Sequence, residues 1–528
     1  MRRVLLLALL AAPFAGTASA KPKDAPAPVA AAAAAAAAPT ARDLAKLEKA
    51  RTDAFAEYET QLASGQKARA ADALVALVED ATMAPFHAEA YGKLGDIFLA
   101  LDLPYAAVTA WNRAFLAADD TNVADVGLHV PKAMETAKRV GDSAILEEAF
   151  SKNLALARTE DVRGQMAFLA AREAFHGQSY GLGLGMLKMV KEGDPSYPDA
   201  KALEGVILNQ QGRPVDALTP FEAAQKAGRD RGIRFTDSLT LNTARSYYAA
   251  GNYPRAIQGY ATVSRGSEFW PQAQFERAWA HFRIDDLNGT LATLHTLDTP
   301  FFESWYFPEA DLLRIYAMFL MCKFPQANIE IDAFNEFYKP IHAALQGWTG
   351  KSDKESFELA RRYAETGAYD PLPESILRPF GSEERLRASI AAVKSADDEL
   401  ERLKAVSANP FSDTAKSWVK ERRKELIKVE GARISARIAD QEAQIGGMLA
   451  DTEIFVLDIL RMKTMLYEQA ANTGMSLDAA RTVKREERVR KGWREWPYEG
   501  EIWADELGYY RVDAAPECPA GMARGSKK

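Results

Sequence analysis

Tyr197-Pro198-Asp199-Ala200 is one of three tetrapeptides that place an aromatic residue, a proline, a polar residue and an alanine in the same order. The other two are Trp270-Pro271-Gln272-Ala273 and Phe307-Pro308-Glu309-Ala310. Proline is favoured in the first turn of a helix, because the N–H that it lacks would have no partner there. The tetrapeptides therefore predict three helix starts, and they indicate a chain built from units of about 35 residues.

Within each unit, large residues at steps of three and four surround small ones, which predicts two helices that face each other. In one early copy, Gly95 and Ala107 would let the two backbones approach, while Phe98 and Trp111 fill the space beside the crossing. The repeated small position falls at Ala217, Ala256, Thr290 and Ala327. Continued in both directions, the pattern gives about eight helical pairs between residues 41 and 340.

These copies resemble the tetratricopeptide repeat (TPR) family, in which a large residue, Leu, Gly and Tyr on one helix precede Ala, an aromatic residue and Ala on the next. Residues 198–224 and 239–263 match best, whereas Thr290 and the stretch around 120–160 depart from the pattern. The resemblance covers somewhat over half of the chain. It implies an all-α fold, a right-handed superhelix of helical hairpins whose concave face binds a peptide, a helix or a neighbouring protein.

The first twenty residues have the order that is typical of an export signal. Arg2 and Arg3 precede an apolar run from 4 to 12, and Ala18-Ser19-Ala20 supplies small residues for cleavage. A short buried N-terminal helix is the alternative. Residues 21–40, which are rich in alanine and proline, predict a linker that serves as a spacer or is an inert remnant of the leader.

Export and charge limit the partners that we expect. The formal net charge is −7, and it becomes −9 once Arg2 and Arg3 are removed with the signal peptide, which argues against nucleic acid as a partner. No later segment reaches the about 18 uninterrupted apolar residues that cross a bilayer, so no transmembrane segment is predicted in the mature chain.

Cys322 and Cys518 are the only cysteines in the sequence. Export would permit a disulfide between them, and the sequence leaves open whether it forms.

The sequence offers no pattern that predicts catalysis, a cofactor or a metal. The six histidines include no pair at metal-ligand spacing near a third ligand. Gly181-Leu182-Gly183-Leu184-Gly185 follows no predicted strand, as a dinucleotide site would require, and fits tight helix packing instead. We therefore expect no catalytic, cofactor-binding or metal-binding residues.

The C-terminal third differs from the repeats. A connecting segment at 341–381 contains Pro371, Pro373 and Pro379, and long amphipathic helices follow over 382–471. From Ile434 to Leu466, a mostly apolar stripe that includes Gln441 and Thr452 alternates at steps of three and four, which is typical of a coiled coil or long helical hairpin. Two interpretations stay open: an arm for self-association through 412–471, or a hairpin that packs on the last repeat.

Two aromatic groups are candidates for partner binding. Phe302, Trp305 and Tyr306 lie at a junction between repeats, where they would line a groove or fill the wedge between hairpins. The basic, tryptophan-rich tail at 472–528 either folds back on the helices or docks on a partner. If it docks, Trp496, Trp503 and Tyr509 would be its anchors.

These observations favour an exported, non-catalytic scaffold that mediates protein–protein interactions in an envelope-associated complex, in the periplasm of a diderm bacterium. The overall plan is similar to exported TPR proteins that support envelope machines, including those of gliding motility. One or more envelope proteins or peptides would be its partners. The alternative is an enzyme that acts on cell-wall polymer, or an activator of such an enzyme.

Overall fold

The fold was analysed in a computed structural model that describes residues 41–232, 236–473 and 502–518. These residues form helices, turns and irregular segments, and they contain no β-strand. The all-α fold of helical hairpins is therefore confirmed. The predicted signal peptide at 1–20, the linker at 21–40 and Trp496 lie outside the described residues.

The α-helices are numbered α1 to α21 along the chain. The first eleven are α1 Ala41–Ala63, α2 Lys67–Glu79, α3 His87–Ala100, α4 Pro104–Ala117, α5 Val123–Val126, α6 Val130–Val140, α7 Glu147–Lys152, α8 Glu160–His176, α9 Tyr180–Leu187, α10 Tyr197–Gln210 and α11 Pro214–Asp230. The others are α12 Thr236–Ala249, α13 Tyr253–Ala261, α14 Trp270–Arg283, α15 Leu287–Leu297, α16 Pro308–Leu320, α17 Phe324–Trp348, α18 Asp353–Thr366, α19 Glu374–Ser382, α20 Glu384–Lys404 and α21 Pro410–Thr473. Short 3-10 segments are Ala81–Phe86, Gly127–His129, Ser143–Leu146, Leu154–Leu156 and Pro300–Phe302.

The helices divide into two compact units. The first contains the described residues of 1–233, 352–364 and 381–434, and the second contains those of 234–351, 365–380 and 435–528. In both units, consecutive helices pack against each other in pairs, among them α3 with α4, α10 with α11, α14 with α15 and α16 with α17. The three tetrapeptides begin α10, α14 and α16, with proline in the first turn of each helix as the sequence predicts.

A residue with a left-handed backbone marks the turn of each pair. Such residues recur every 34 to 39 positions along the described chain: Gly65, Asp102, Gly141, Gln178, Gly212, Gly251, Asp285 and Cys322. The predicted turn glycines Gly212 and Gly251 belong to this series, with φ of 72° and 76°. The periodicity continues through the stretch around 120–160, where α5 to α7 are short and interrupted by 3-10 segments.

Close contact between the helices of a pair depends on glycine. The Trp111 indole lies against Gly95, where a Cβ atom would come within 2.5 Å of the ring, and its Nε1 donates to the carbonyl oxygen of Gly92 at 3.1 Å. A Cβ on Gly205 would likewise lie 2.5 Å from the Phe221 ring. The glycines therefore allow a backbone to approach a buried aromatic ring at distances that no other residue permits.

In the first unit, the beginning of α21 completes the core. The Trp418 ring packs beside Tyr91 and Phe98, with ring centres 5.8 and 6.0 Å apart, and the Arg113 guanidinium lies 4.3 Å from the Trp418 ring. On α20, the fully buried Glu399 carboxylate accepts hydrogen bonds from the backbone N–H groups of Tyr105 and Ala106. This carboxylate supplies partners for the free donors at the start of α4.

In the second unit, α21 presents the predicted apolar stripe to α16 and α17. Phe455 packs 5.7 Å from the Tyr316 ring and 6.2 Å from the Phe319 ring, and Thr452 is hydrogen-bonded by Asn335 at 3.2 Å. This face of α21 is therefore buried within its own chain. Helix α17 continues through Pro340, the residue at which the sequence analysis ends the repeat array. The domain boundaries given in the sequence analysis stay a prediction.

The contact between Gly205 and Phe221 predicts that alanine lowers the stability of the protein at this glycine but raises it at a glycine in open space. We expect Gly205→Ala to lower the free energy of unfolding by about 1–3 kcal/mol, because the new methyl group overlaps the buried ring. Gly185→Ala is the matched control, since a Cβ there meets open space and gains helix propensity of about 0.5–1 kcal/mol. Denaturant unfolding of both variants measures the difference, and an unchanged or raised stability of Gly205→Ala would contradict this account of the pair.

Candidate partner-binding surfaces

The predicted aromatic residues at the junction before α16 contact one another in the second unit. The Trp305 ring is stacked on Phe307, with ring centres 6.1 Å apart, and the Arg378 guanidinium lies 4.6 Å from the Trp305 ring. Arg378 also donates a hydrogen bond to the Ser304 hydroxyl at 2.7 Å. The Phe302 ring packs 5.8 Å from Trp270. Most of the predicted aromatic surface is thus in contact with its own chain, and a partner-binding role for it stays a prediction.

Tyr306 belongs to a buried polar group beside this junction. Its hydroxyl makes no hydrogen bond within the described residues, and burial raises the pKa of the phenol. The neighbouring Glu309 accepts a hydrogen bond from Gln444 at 2.6 Å. Burial raises the pKa of Glu309 to about 7, and the hydrogen bond from Gln444 opposes that shift only in part. The carboxyl of Glu309 is therefore poised to take up a proton near neutral pH.

Residues 502–518, which we call the strap, lie on the second unit, with turns over 504–508 and an irregular stretch from 509 onward. Leu507 is buried in a cluster with Trp270, and the Gly508 N–H donates to the Thr296 hydroxyl at 3.0 Å. Gly508 has a φ of 82°, and a Cβ there would lie 3.0 Å from the Trp270 ring. The first half of the strap is thus fixed by one buried leucine and a close backbone approach beside the end of α15.

The second half of the strap follows α15 toward its beginning. The Asn288 side chain donates to the Ala514 carbonyl oxygen at 3.3 Å and accepts from the Ala514 N–H at 3.1 Å, so it binds both backbone groups of one residue. The Glu517 N–H donates to the Met321 carbonyl oxygen at 2.8 Å. Cys518 is disulfide-bonded to Cys322 in the turn between α16 and α17. The pairing of the two cysteines, which the sequence left open, is therefore present.

Two predicted anchors, Trp503 and Tyr509, point outward from the strap. The Trp503 side chain is 58% exposed and that of Tyr509 is 72% exposed. The Arg265 guanidinium lies 4.1 Å from the Tyr509 ring and donates to the Asp505 carbonyl oxygen at 3.1 Å. For residues 502–518, the tail folds back on the helices, as one of the two interpretations expects, while these two rings remain available for a partner.

One buried cation of the second unit is paired with several carboxylates. The Arg314 guanidinium, which is almost completely buried, lies 2.8 Å from Asp298 and 3.2 Å from Glu330. Asp311 completes this group and accepts a hydrogen bond from the Tyr338 hydroxyl at 2.8 Å. Removal of Arg314 would leave its carboxylate partners without a compensating charge, so this group is suited to holding helices together.

The described residues contain no group of three or more histidine, cysteine, aspartate or glutamate side chains arranged to hold a metal ion. Within the same residues, no helix combines the length and the apolar character needed to cross a membrane. The sites that the structure does present are surfaces: the aromatic junction, the strap and the outward faces of the helices.

Comparison with known proteins gives matches to solved structures only. No protein-family model and no curated protein sequence matches the chain. A tetratricopeptide repeat protein from Parabacteroides merdae matches at 12% identity over 55% of this chain and 93% of that chain, with a TM-score of 0.26. A complex of Naa15 and Naa10 bound to HypK matches at 12% identity over 81% and 63% of the two chains, with a TM-score of 0.32. The P58(IPK) TPR domain matches at 14% identity over 72% and 98%, with a TM-score of 0.18.

These similarity scores are low, so the assignment of the architecture rests on the helix pairs and their periodic turns. The chain is an all-α helical repeat protein. Its paired helices, its turn residues every 34 to 39 positions and its glycine contacts agree with the resemblance that the sequence shows. One contact that the sequence did not indicate is the pair of hydrogen bonds between the Asn288 side chain and the backbone of Ala514.

The raised pKa of Glu309 predicts a pH-dependent stability difference. Because the pKa is about 7 in the folded protein and 4.5 as its ordinary value, the folded state holds a proton that the unfolded state has released between these values. The carboxyl therefore destabilises the fold increasingly as the pH rises from 4.5 to 7. We expect Glu309→Gln to become more stable than the natural protein across this window, by about 2–3 kcal/mol at pH 8.

Denaturant unfolding between pH 5 and 8 measures this difference, with Glu303→Gln, which removes an exposed carboxylate from the same junction, as the control. The same stability difference at every pH would show that Glu309 is not the titrating group.

The disulfide between Cys322 and Cys518 leads us to expect that its removal lowers both the stability of the protein and the protease resistance of the strap. We expect Cys518→Ser to lower the free energy of unfolding by about 2–4 kcal/mol and to expose 502–518 to proteases, because the bond closes a long loop. Glu517→Gln is the control, since it removes only the partly exposed ion pair with Lys323, which contributes at most about 1 kcal/mol. Thermal unfolding and limited proteolysis are the measurements. Equal protease resistance of the strap in both variants would mean that the other contacts suffice.

Proposed function

We propose that the protein is a non-catalytic scaffold that binds protein partners in an envelope-associated complex, in the periplasm of a diderm bacterium. The strap carries the proposal. On α14 to α17, the strap is held by one buried leucine, by a side chain that binds both backbone groups of Ala514, and by a backbone hydrogen bond to Met321. Backbone contacts of this kind accept many sequences, so a surface of repeated helical pairs is suited to binding extended polypeptides.

Two features support the proposed location. The first twenty residues have the order of an export signal, with Arg2 and Arg3 before an apolar run and small residues at the cleavage position. The disulfide between Cys322 and Cys518 fits the same location, because such bonds persist in oxidising compartments such as the bacterial periplasm and are rare in the cytosol. Both features are expected of an exported protein.

The acidic residues with raised pKa values bear on the alternative, an enzyme that acts on cell-wall polymer. Burial raises the pKa values of Glu147, Glu309 and Glu399 to about 7, a range that suits a general acid. A catalytic acid must also reach its substrate. Glu147 and Glu399 are buried, Glu399 accepts two backbone hydrogen bonds, and Glu309 is bound by Gln444. The burial of Glu147 and Glu399 and the hydrogen bonds of Glu399 and Glu309 favour a structural role for these carboxyl groups.

Affinity capture of the mature protein from envelope extract tests the proposal. We expect one or more proteins to co-purify in a stoichiometric amount, and we expect Trp503→Ala to reduce their capture at least tenfold, since a buried aromatic anchor contributes about 2 kcal/mol or more. Thermal stability should be unchanged, because this side chain is exposed. Tyr369→Ala removes a similarly exposed aromatic side chain from another segment and is the control.

Two outcomes would contradict the scaffold. The first is the recovery of no stoichiometric protein together with turnover of a cell-wall fragment, which would favour the enzyme. The second is equal loss of capture in both variants, which would show that the strap has no specific part in binding.

A further inference from the structure

Helix α21 has a second apolar face that no other part of the described chain covers. Between 447 and 467 this face, which we call the outer seam, includes Gly447, Ala450, Ile454, Leu457, Leu460 and Tyr467. Leu457, Leu460 and Tyr467 are 65%, 55% and 63% exposed. Thr452, Phe455 and Ile459, on the opposite side of the same turns, are buried. The helix is therefore apolar on two sides, and only one side has a partner within the described residues.

A helix that is apolar on both sides is typical of one buried on both sides. Ile454, Leu457 and Leu460 follow one another at steps of three and form a continuous patch, whereas single exposed hydrophobic residues are common on any surface. The outer seam is about 30 Å long at 1.5 Å per residue, which matches a helical partner of similar length. The outer seam is therefore suited to packing against a partner helix that has an apolar stripe of its own.

The sizes of the side chains change along the outer seam. Its beginning is formed by small residues, Gly447 and Ala450, and its end by the large Leu457, Leu460 and Tyr467. A Cβ placed on Gly447 would meet nothing within 4 Å, so the helix surface there is open. A second copy of the same helix running in the opposite direction would set the large end of one copy against the small end of the other.

Two charged residues on the outer seam change sign in the same direction. Glu453 lies in its first half and Arg461 in its second half, each about 40° around the helix from Leu457. Neither side chain has an ion-pair partner within the described residues. In an antiparallel pair centred on Leu457, each Glu453 would face Arg461 of the other copy. A parallel pair would instead place like charges side by side.

We propose that a second copy of the chain covers the outer seam, and that the two α21 helices pair in opposite directions about a two-fold axis at Leu457. In this register, Leu457 meets Leu457, Ile454 meets Leu460, and Tyr467 lies over Gly447 of the second copy. The interface is isologous, as expected for a closed dimer. The pairing is independent of the partner that the repeats bind, so its test and the capture experiment can fail separately.

The first test is the mass of the mature protein in solution, with the disulfide intact, by sedimentation equilibrium. We expect a dimer, and we expect Leu457→Glu to raise the dissociation constant at least about 100-fold, because two carboxylates would be buried together at the axis. Val429→Glu is the matched control: Val429 is 52% exposed on the same helix but lies outside the outer seam, so this variant should remain a dimer. Glu453→Arg should weaken the dimer, and Glu453→Arg/Arg461→Glu should restore it.

The second test fixes the direction and register of the pair. Gly447→Cys and Tyr467→Cys proteins are mixed and treated with a short bismaleimide. We expect a cross-linked dimer that contains one copy of each variant, and none from either variant alone. Cross-linking of Gly447→Cys with itself would show a parallel pair and overturn the proposal.

A monomer at the highest soluble concentration would also overturn the proposal. In that case, the reaction of a Leu457→Cys variant with maleimide distinguishes the reason. Rapid labelling would show an uncovered helix face, and protection would show that another part of the same chain covers it.

Discussion

The contact between a glycine backbone and an aromatic ring is the constraint that sets the close approach of helices in two of the repeats. Where Trp111 lies on Gly95 and Phe221 lies on Gly205, the two helices of a pair approach more closely than any Cβ atom would permit. The same rings fill the space that the missing side chain leaves, so the pair is dense without being strained. Each pair then presents its remaining apolar residues to the next pair, which is how a repeat protein extends by addition.

The turns impose the second constraint, and they explain what sequence could and could not predict about the fold. Gly212 and Gly251 were recognisable as turn residues, because glycine adopts a left-handed backbone without steric cost. Asp102, Gln178, Asp285 and Cys322 adopt the same conformation at equivalent positions, at a cost of about 1–2 kcal/mol each. Glutamine and cysteine give no such signal, and aspartate gives a weaker one than glycine. The repeat was therefore easy to read where glycine marks the turn and difficult where another residue occupies it.

The candidate sites were predictable to a smaller extent. The aromatic run at 301–307 and the tail stood out because large aromatic residues are seldom clustered without a contact to make. The position of the strap depends on tertiary placement: Asn288 binds Ala514 across 226 positions of the chain, and Cys322 pairs with Cys518 across 196. Local sequence patterns do not specify contacts between residues that are so far apart along the chain. On α21 one apolar stripe was predicted, whereas the outer seam was hidden because residues of the two faces alternate along the helix.

The disulfide makes the chain from Cys322 to Cys518 a covalent ring. One end of the ring is a repeat turn, and the other is the last described residue of the strap. A single cut of the peptide backbone anywhere inside this ring would open it without releasing either product. The strap would stay attached to the turn before α17, so the protein could lose a peptide bond and remain one molecule.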